Sequence, residues 1–188
     1  MRKGLLSALA ILMLLVVCVS AEDIKIGALF SPEDSCGLAI QKYISEAQDY
    51  VFVAMYYFTL RRLAQELVNA HKRGVKVRVF LDSKQRVEKY AKGRFLEQKG
   101  IEVKYRGDDT SGYMHSKFCV IDDRIVITGS FNWTVSADLK NDENLVIIES
   151  TDVAKSYRNY FDRLWEDQVT DTYKYKGKVG LDKIEIKK

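Results

Sequence analysis

Residues 113–134 read YMHSKFCVIDDRIVITGSFNWT, and this stretch decides how the chain around it is arranged. The runs KFCVID (117–122) and RIVITG (124–129) are rich in apolar and β-branched residues and meet at Asp122-Asp123. Two such runs joined by a short polar pair predict an antiparallel β-hairpin. A polar loop, GDDTSG (107–112), precedes this hairpin, and a short helix from about residue 131 to 139 is expected after it.

Segments with alternating strand-like and helix-like patterns surround the hairpin. Apolar runs with β-branched and aromatic residues predict strands, and amphipathic segments closed by Gly74 and Gly100 predict helices. The predicted strands are residues 23–30, 51–58, 75–82, 101–106 and 144–150, and the predicted helices are residues 38–50, 60–74, 83–100 and 152–167. This order predicts an α/β fold with a mixed, largely parallel sheet flanked by helices on both faces.

The composition is that of one globular domain. The 188 residues are 47% hydrophobic and 30% charged, which excludes a disordered or fibrous chain. We expect the folded domain to span residues 22–169 and to be followed by a basic tail, residues 170–188. A solvated tail is the simpler interpretation of this basic segment, and an arm that follows phosphates or a membrane surface is the alternative.

The first 21 residues have the pattern of an export signal. Arg2 and Lys3 precede an apolar run that ends at Val19-Ser20-Ala21, a typical cleavage sequence. We therefore expect an exported protein, periplasmic, secreted or held outside the cytoplasm. The alternative is an uncleaved membrane anchor, but the apolar run of about 15 residues is shorter than the roughly 20 that span a bilayer. Cleavage would remove two lysine or arginine charges, and the formal net charge of +4 would fall to about +2.

Two cysteines, Cys36 and Cys119, would remain in the exported chain. One disulfide would suit an oxidising compartment, although spacing alone leaves their pairing open. Neither cysteine has a histidine or cysteine neighbour at metal-ligand spacing, so we predict no zinc site.

The side chains of His115 and Lys117 are the first candidates for catalysis. Two residues apart at the start of a strand, they point to the same face. A neutral imidazole beside an ammonium suits a dianionic transition state, since the ammonium binds phosphoryl oxygens and keeps the imidazole from protonating too readily.

Other polar residues after the hairpin are candidates for supporting roles. Gly129 ends a strand, Ser130 is a natural helix N-cap whose turn offers backbone N–H groups to an anion, and Asn132 adds an amide donor. Strand parity turns Asp122 away from His115, so we assign it a structural role in the hairpin turn. A carboxylate from Glu143 or Asp142 would fix the imidazole tautomer by accepting its N–H.

These residues together resemble the signature of the phospholipase D superfamily. Its six specified positions match in residue type and spacing, and the likeness extends over about residues 23–167. The resemblance implies a mixed sheet flanked by helices and a metal-independent phosphodiesterase without a cofactor. It assigns His115 as the nucleophile that forms a phosphohistidine or as the acid that protonates the leaving group. It also assigns phosphate binding to Lys117, Asn132 and the adjacent Ser130, and contact with the histidine to Glu143.

The chain has one copy of the motif, whereas most members of this superfamily have two. The chain's other histidine, His71, ends an amphipathic helix and has no lysine two residues on. We therefore expect a homodimer in which one His115 attacks and its twin acts as the general acid at the two-fold axis.

Single-motif members with a leader most resemble the small Nuc-type endonucleases. This resemblance predicts a non-specific endonuclease acting on DNA, with RNA as a further substrate. The runner-up is a phospholipase D acting on phospholipid head groups, and the third interpretation is an inactive phosphate-binding module. A basic groove with stacking aromatics, for which Tyr113 and Trp133 are candidates, would favour nucleic acid, and an apolar entry would favour lipid.

Overall fold

The computed structural model describes residues 23–106 and 112–166 of the chain. The expected export signal, most of the polar loop 107–112 and the basic tail therefore lie outside the described residues. Among the helices that are described, none is long and apolar enough to cross a bilayer.

Within the described ranges the chain forms one seven-stranded sheet with helices on both faces. The strands are β1 (Lys25–Ser31), β2 (Tyr50–Met55), β3 (Lys76–Leu81), β4 (Glu102–Tyr105), β5 (Lys117–Ile121), β6 (Ile125–Gly129) and β7 (Glu143–Glu149). The helices are α1 (Cys36–Glu46), α2 (Arg61–Lys72), α3 (Gly93–Glu97), α4 (Val135–Leu139) and α5 (Thr151–Glu166). The strand order is β1-β7-β6-β5-β2-β3-β4.

The mixed α/β fold is confirmed, but the expectation of a largely parallel sheet is wrong. Only the β2–β3 and β3–β4 pairs are parallel, whereas the β1–β7, β7–β6, β6–β5 and β5–β2 pairs are antiparallel. Helical crossovers return the chain in the same direction only between β2 and β4, while the hairpin and β7 meander back and forth. The first strand pairs with β7 at the far edge and not with its neighbour in sequence.

Strand β2 is buried at every position, and its side chains alternate between two cores. Val51, Val53 and Met55 face the layer built mainly by α1 and α2. Phe52 faces α5, where its ring stacks on Phe161 with the centroids 5.0 Å apart. Burial on both faces explains why this run is continuously apolar.

The helix expected over residues 83–100 is two short pieces. A 3-10 turn covers Ser83–Arg86, and α3 begins only at Gly93. The Asp82 carboxylate accepts the Lys84 N–H at 3.1 Å and starts the turn, and the Lys92 N–H then donates to the Phe58 carbonyl at 2.9 Å. A β-carbon at Gly93 would clash with the hydroxyl of the buried Tyr105, so this close approach favours glycine. Tertiary contacts thus override the helical pattern of the segment.

Both remaining cysteines are buried free thiols. Cys36 begins α1, and Cys119 lies within β5. Burial raises the pKa of the Cys119 thiol to about 12, which makes it a packing residue.

Candidate active site

The candidate residues gather at one edge of the sheet, where β2 and β6 end and β5 and β7 begin. Lys117, the first residue of β5, is paired with Met55, the last of β2. Gly129 ends β6, and Glu143 begins β7 on the adjoining strand. Strand pairing therefore brings together residues that are far apart in sequence.

His115 and Lys117 lie on the same side of the chain, as their spacing predicts. The ammonium Nζ of Lys117 is 3.3 Å from Nδ1 of His115 and donates to the His115 carbonyl at 2.7 Å. Because an ammonium can only donate, this contact suits a ring that accepts at Nδ1 and carries its proton on the outward Nε2. The imidazole is exposed, so a substrate phosphate can reach it.

Tyr56 supports both groups. Its ring centroid is 4.5 Å from that of His115, and Lys117 Nζ lies 5.0 Å from the tyrosine ring. Partial burial lowers the pKa of the Lys117 ammonium, and the negative charge of Glu143 opposes this shift. An ammonium that has lost part of its water shell interacts more strongly with a phosphate that arrives.

Glu143 contacts Ser130 and not the imidazole of His115. The Ser130 hydroxyl donates to Oε2 of Glu143 at 2.5 Å, and Asn141 donates to Oε1 at 3.1 Å. The expected hydrogen bond between His115 and Glu143 is not present in the part of the chain that the structure describes. The alternative, Asp142, is exposed in the turn before β7. Glu143 therefore acts on the residue beside the expected phosphate position.

Ser130 is not a helix cap, contrary to expectation. Phe131 and Trp133 are buried, and the Trp133 N–H donates to the Tyr57 carbonyl at 3.0 Å. These contacts keep the segment extended, so α4 begins four residues later and is capped by Thr134, whose hydroxyl accepts the Ala137 N–H. The anion site expected from a helix start at Ser130 is thus absent.

Asn132 lies in the same extended segment. Its Oδ1 accepts the Tyr57 N–H at 3.2 Å, and this bond fixes the orientation of the amide. No described residue accepts from its Nδ2, which leaves these two N–H groups for a ligand.

Asp122 lies at the opposite end of the hairpin from His115. Both Asp122 and Asp123 have positive φ angles, of 54° and 47°, as the central pair of a type I′ turn requires. The Asp122 carboxylate accepts the backbone N–H groups of residues 48, 49 and 50 at 2.8–2.9 Å. It holds the turn against the start of β2 and does not contact the candidate site.

His71 is also remote from the site. It lies in the last turn of α2, which leads into the start of β3, and Lys76 there is paired with Tyr50 at the start of β2. His115 is near the other end of β2, beside Met55. The two histidines of one chain therefore lie at opposite ends of the sheet.

Two tyrosines at the site were not predicted as a pair. Tyr56 and Tyr113 have ring centroids 6.0 Å apart, and Lys84 Nζ lies 4.2 Å from the centroid of the Tyr113 ring. Tyr113 is 53% exposed, but the other stacking candidate, Trp133, is 2% exposed and packs edge-on against Phe58. Tyr56 falls inside the predicted strand 51–58, but the strand ends at Met55. The position of Tyr56 just after a buried strand is the signal in the sequence that points to it.

A pocket of about 480 Å³ opens beside the motif on the α5 side of the sheet. It has polar and apolar walls. The lining residues are His115, Ser116, Lys117, Phe118, Thr128, Gly129, Ser156, Tyr157 and Tyr160.

Comparison with known proteins identifies the family. Residues 40–165 match the family model described as "Cardiolipin synthase, PLD-like domain". The chain is 39% identical over 141 residues to a phospholipase D of Rickettsia prowazekii, a match that covers 74% of this chain and 67% of the relative. It is 38% identical over 129 residues to a mitochondrial cardiolipin hydrolase of Xenopus laevis, which covers 69% of this chain and 60% of that protein.

A solved structure agrees with this assignment. The crystal structure of Nuc from Salmonella typhimurium, a phospholipase D family member, superposes with a TM-score of 0.70 at 29% identity, covering 80% of this chain and 99% of Nuc. The chain therefore belongs to the phospholipase D superfamily, in its PLD-like domain family. It is a phosphodiester hydrolase of that superfamily.

Proposed function

We propose that the protein is a non-specific endonuclease that hydrolyses DNA, with RNA as a further substrate, through a phosphohistidine in a metal-independent homodimer. The observation that carries this choice is the exposed ring of Tyr113, which has the Lys84 ammonium over its face and shares the neighbouring Tyr56 ring with His115. Exposed aromatic rings combined with cations are the means by which proteins bind single nucleic-acid strands.

The reaction divides into two displacements at phosphorus. In the first, the Nε2 lone pair of one His115 attacks, a P–N bond forms, and the P–O bond to the leaving oxygen breaks as the second His115 donates its proton there. In the second, this histidine takes a proton from water, whose oxygen displaces the first imidazole. The Lys117 ammonium and the Asn132 amide neutralise the charge on the phosphoryl oxygens throughout.

The second imidazole must come from another chain in this proposal, since His71 lies at the far end of the sheet. The histidine that acts as general acid must be an imidazolium, which becomes neutral when its Nε2 proton passes to the leaving oxygen, and the attacking twin must be neutral with its lone pair on Nε2. A two-fold axis beside His115 would place two copies of one residue in these two roles.

Mixed dimers test the shared site. Wild-type and His115→Ala protein are mixed in varying proportions at constant total protein concentration and allowed to exchange subunits, which is followed by labels on the two proteins. If both imidazoles are needed, total activity falls with the square of the wild-type fraction. A linear fall, or full activity in a diluted monomer, contradicts the shared site.

The second candidate function is hydrolysis of phospholipid head groups. The pocket beside the motif favours it, because Phe118, Tyr157 and Tyr160 supply apolar surface next to Lys117. The relatives named phospholipase D and cardiolipin hydrolase favour it as well. Export, and membrane attachment through the N-terminal segment, are further proposals that either substrate would allow. An inactive scaffold is the remaining alternative.

One set of assays decides between these functions. The mature protein is incubated in chelator with plasmid DNA, RNA, phosphatidylcholine and cardiolipin, alongside His115→Ala and the matched control His71→Ala. Cleavage of nucleic acid alone, lost only in His115→Ala, supports the endonuclease. Release of choline or phosphatidic acid without nucleic-acid cleavage supports the lipid enzyme, and no turnover of any substrate supports the scaffold.

A further inference from the structure

We infer that Tyr113 is a stacking site for the nucleobase next to the phosphate cleaved at His115, and that this site makes the enzyme prefer single strands. The inference rests on the proposed nuclease function and deepens it. It assigns the binding of one base to a residue that lies outside the catalytic motif.

The position of Tyr113 fits this role. The Tyr56 ring neighbours both residues, with its centroid 6.0 Å from that of Tyr113 and 4.5 Å from that of His115. Tyr113 and His115 thus share one aromatic neighbour, which keeps Tyr113 close enough to hold a base next to a phosphate at His115. More than half of its surface is exposed, which leaves room for a base against the ring.

A cation adds to the attraction. The Lys84 ammonium lies 4.2 Å from the centroid of the Tyr113 ring and 3.2 Å from its hydroxyl oxygen. Arg106 donates to the carbonyl of the same tyrosine at 3.5 Å. Positive charge beside the ring suits a strand whose phosphates flank the stacked base.

One buried carboxylate, that of Asp82, fixes the backbone beside the Tyr113 ring and Lys84. Asp82 is 1% exposed, and its two oxygens accept different backbone groups, the Lys84 N–H at 3.1 Å and the Met114 N–H at 2.8 Å. Met114 is itself buried, directly after Tyr113. Asp82 thus fixes the backbone of the lysine and that of the tyrosine relative to each other, so the ring and its cation are preorganised.

A preference for single strands follows from the geometry of stacking. In a duplex each base is paired and stacked on its neighbours, so its face is not available to a tyrosine unless the base is flipped out. A single strand presents that face directly. Every base has such a face, so this site would not select a sequence.

The test uses oligothymidylates in which every linkage except one is a methylphosphonate, so that cleavage occurs at one defined phosphate. The nucleotides on either side of that phosphate carry a base or are abasic. Two strands each lack one of these bases, on opposite sides of the phosphate. Wild-type protein is expected to cleave the strand that lacks the stacked base about 10-fold more slowly, as kcat/KM, than the strand with both bases, and to cleave the other abasic strand about as fast as the strand with both bases. Cleavage of the same sequence as a duplex should be slower by a similar factor.

Three variants locate the effect. Tyr113→Ala should remove the difference between base and abasic strands, and Tyr113→Phe, which keeps the ring, should retain it. Tyr90→Ala is the matched control, because Tyr90 is also exposed and also has a lysine near its ring, 5.2 Å away, but it has no recorded contact with the ring of Tyr56 or His115.

Each outcome bears on one of the two proposals. If Tyr113→Ala discriminates as well as wild type, or if wild type does not discriminate at all, the stacking site is refuted while the nuclease stands. If wild type cleaves no nucleic acid but releases phospholipid head groups, the nuclease function fails, and the inference fails with it.

Discussion

The two ends of the β5–β6 hairpin contain residues of the same motif but differ in how their polar groups are used. At the turn end, the Asp122 carboxylate accepts three backbone N–H groups, and Asp123 accepts from the Tyr50 hydroxyl at 2.6 Å. At the site end, His115 is exposed, and the amide Nδ2 of Asn132 donates to no described residue. The turn end is saturated with hydrogen bonds, and the site end keeps donors for a ligand.

This difference explains how one short hairpin can serve both stability and catalysis. Unpaired donors at a site are tolerated only where the surrounding backbone is held in place. Strands β5 and β6 are held by the turn at one end and by pairing with β2 and β7 along their length. We therefore expect the motif aspartate to act through the rigidity of the hairpin, and the motif histidine and lysine to act on the substrate directly.

The largest expected effect is at the site end, in activity alone. His115→Ala should lower kcat by about 10⁴-fold, since it would remove both the nucleophile and the acid from the proposed dimer. The melting temperature should stay within about 2 °C of wild type, because the ring is exposed and its recorded hydrogen bond is with Lys117. Steady-state kinetics and calorimetry measure the two quantities. A large loss of stability in His115→Ala would show that the site end of the hairpin also stabilises the fold.

The next effect is at the turn end, in stability alone. Asp122→Ala removes three charge-assisted hydrogen bonds and places an alanine in the left-handed region, at a φ of 54°. The free energy of unfolding should therefore fall by about 3 kcal/mol. Asp122→Asn keeps one side-chain oxygen as an acceptor, and asparagine tolerates the positive φ, so its free energy of unfolding should fall by about half as much. Urea unfolding gives these values.

A neighbouring aspartate provides the control for the Asp122→Ala prediction. Asp49→Ala, one residue from the start of β2, removes an exposed carboxylate and should change stability by less than about 0.5 kcal/mol. The folded fraction of Asp122→Ala should keep kcat near the wild-type value. A kcat reduced as strongly as in His115→Ala would place Asp122 in the chemistry after all.

The placement of His115 and Lys117 on one face of the strand, and of Asp122 away from them, could be predicted from sequence. It depends only on the alternation of side chains along a strand. The two-residue spacing of His115 and Lys117 sets a common face, and the odd spacing from His115 to Asp122 turns the aspartate away. Ser130 was assigned wrongly because burial of Phe131 and Trp133 keeps the backbone extended, and burial against other strands leaves no local signal. The position of β1 beside β7 and the break in the helix over residues 83–100 depend on tertiary contacts in the same way.

Ser130 links the site to β7 and should show a moderate effect on both properties. Ser130→Ala removes the donor to Glu143 at 2.5 Å and the acceptor of the Asn144 N–H at 3.0 Å. We expect a loss of about 1–2 kcal/mol in stability and about 10-fold in kcat, because the freed carboxylate is no longer held beside Lys117. Ser136→Ala, an exposed serine in α4, is the control and should change neither. An unchanged kcat in Ser130→Ala would make this link purely structural.

The smallest effect is at the turn end and depends on pH. The Tyr50 hydroxyl donates to Asp123, and burial, followed by this hydrogen bond, raises the pKa of the phenol from 10.0 to about 12. Because the folded pKa lies above the unfolded one, the stabilisation is complete below pH 10 and is lost as the pH rises to about 12. Tyr50→Phe should therefore be less stable than wild type by about 1 kcal/mol at pH 8, and the difference should shrink as the pH rises from 10 towards 12. Unfolding in urea at pH 8, 10 and 11.5 measures this convergence, and a difference that stays constant over this range would show that the hydroxyl contributes through packing and not through its proton.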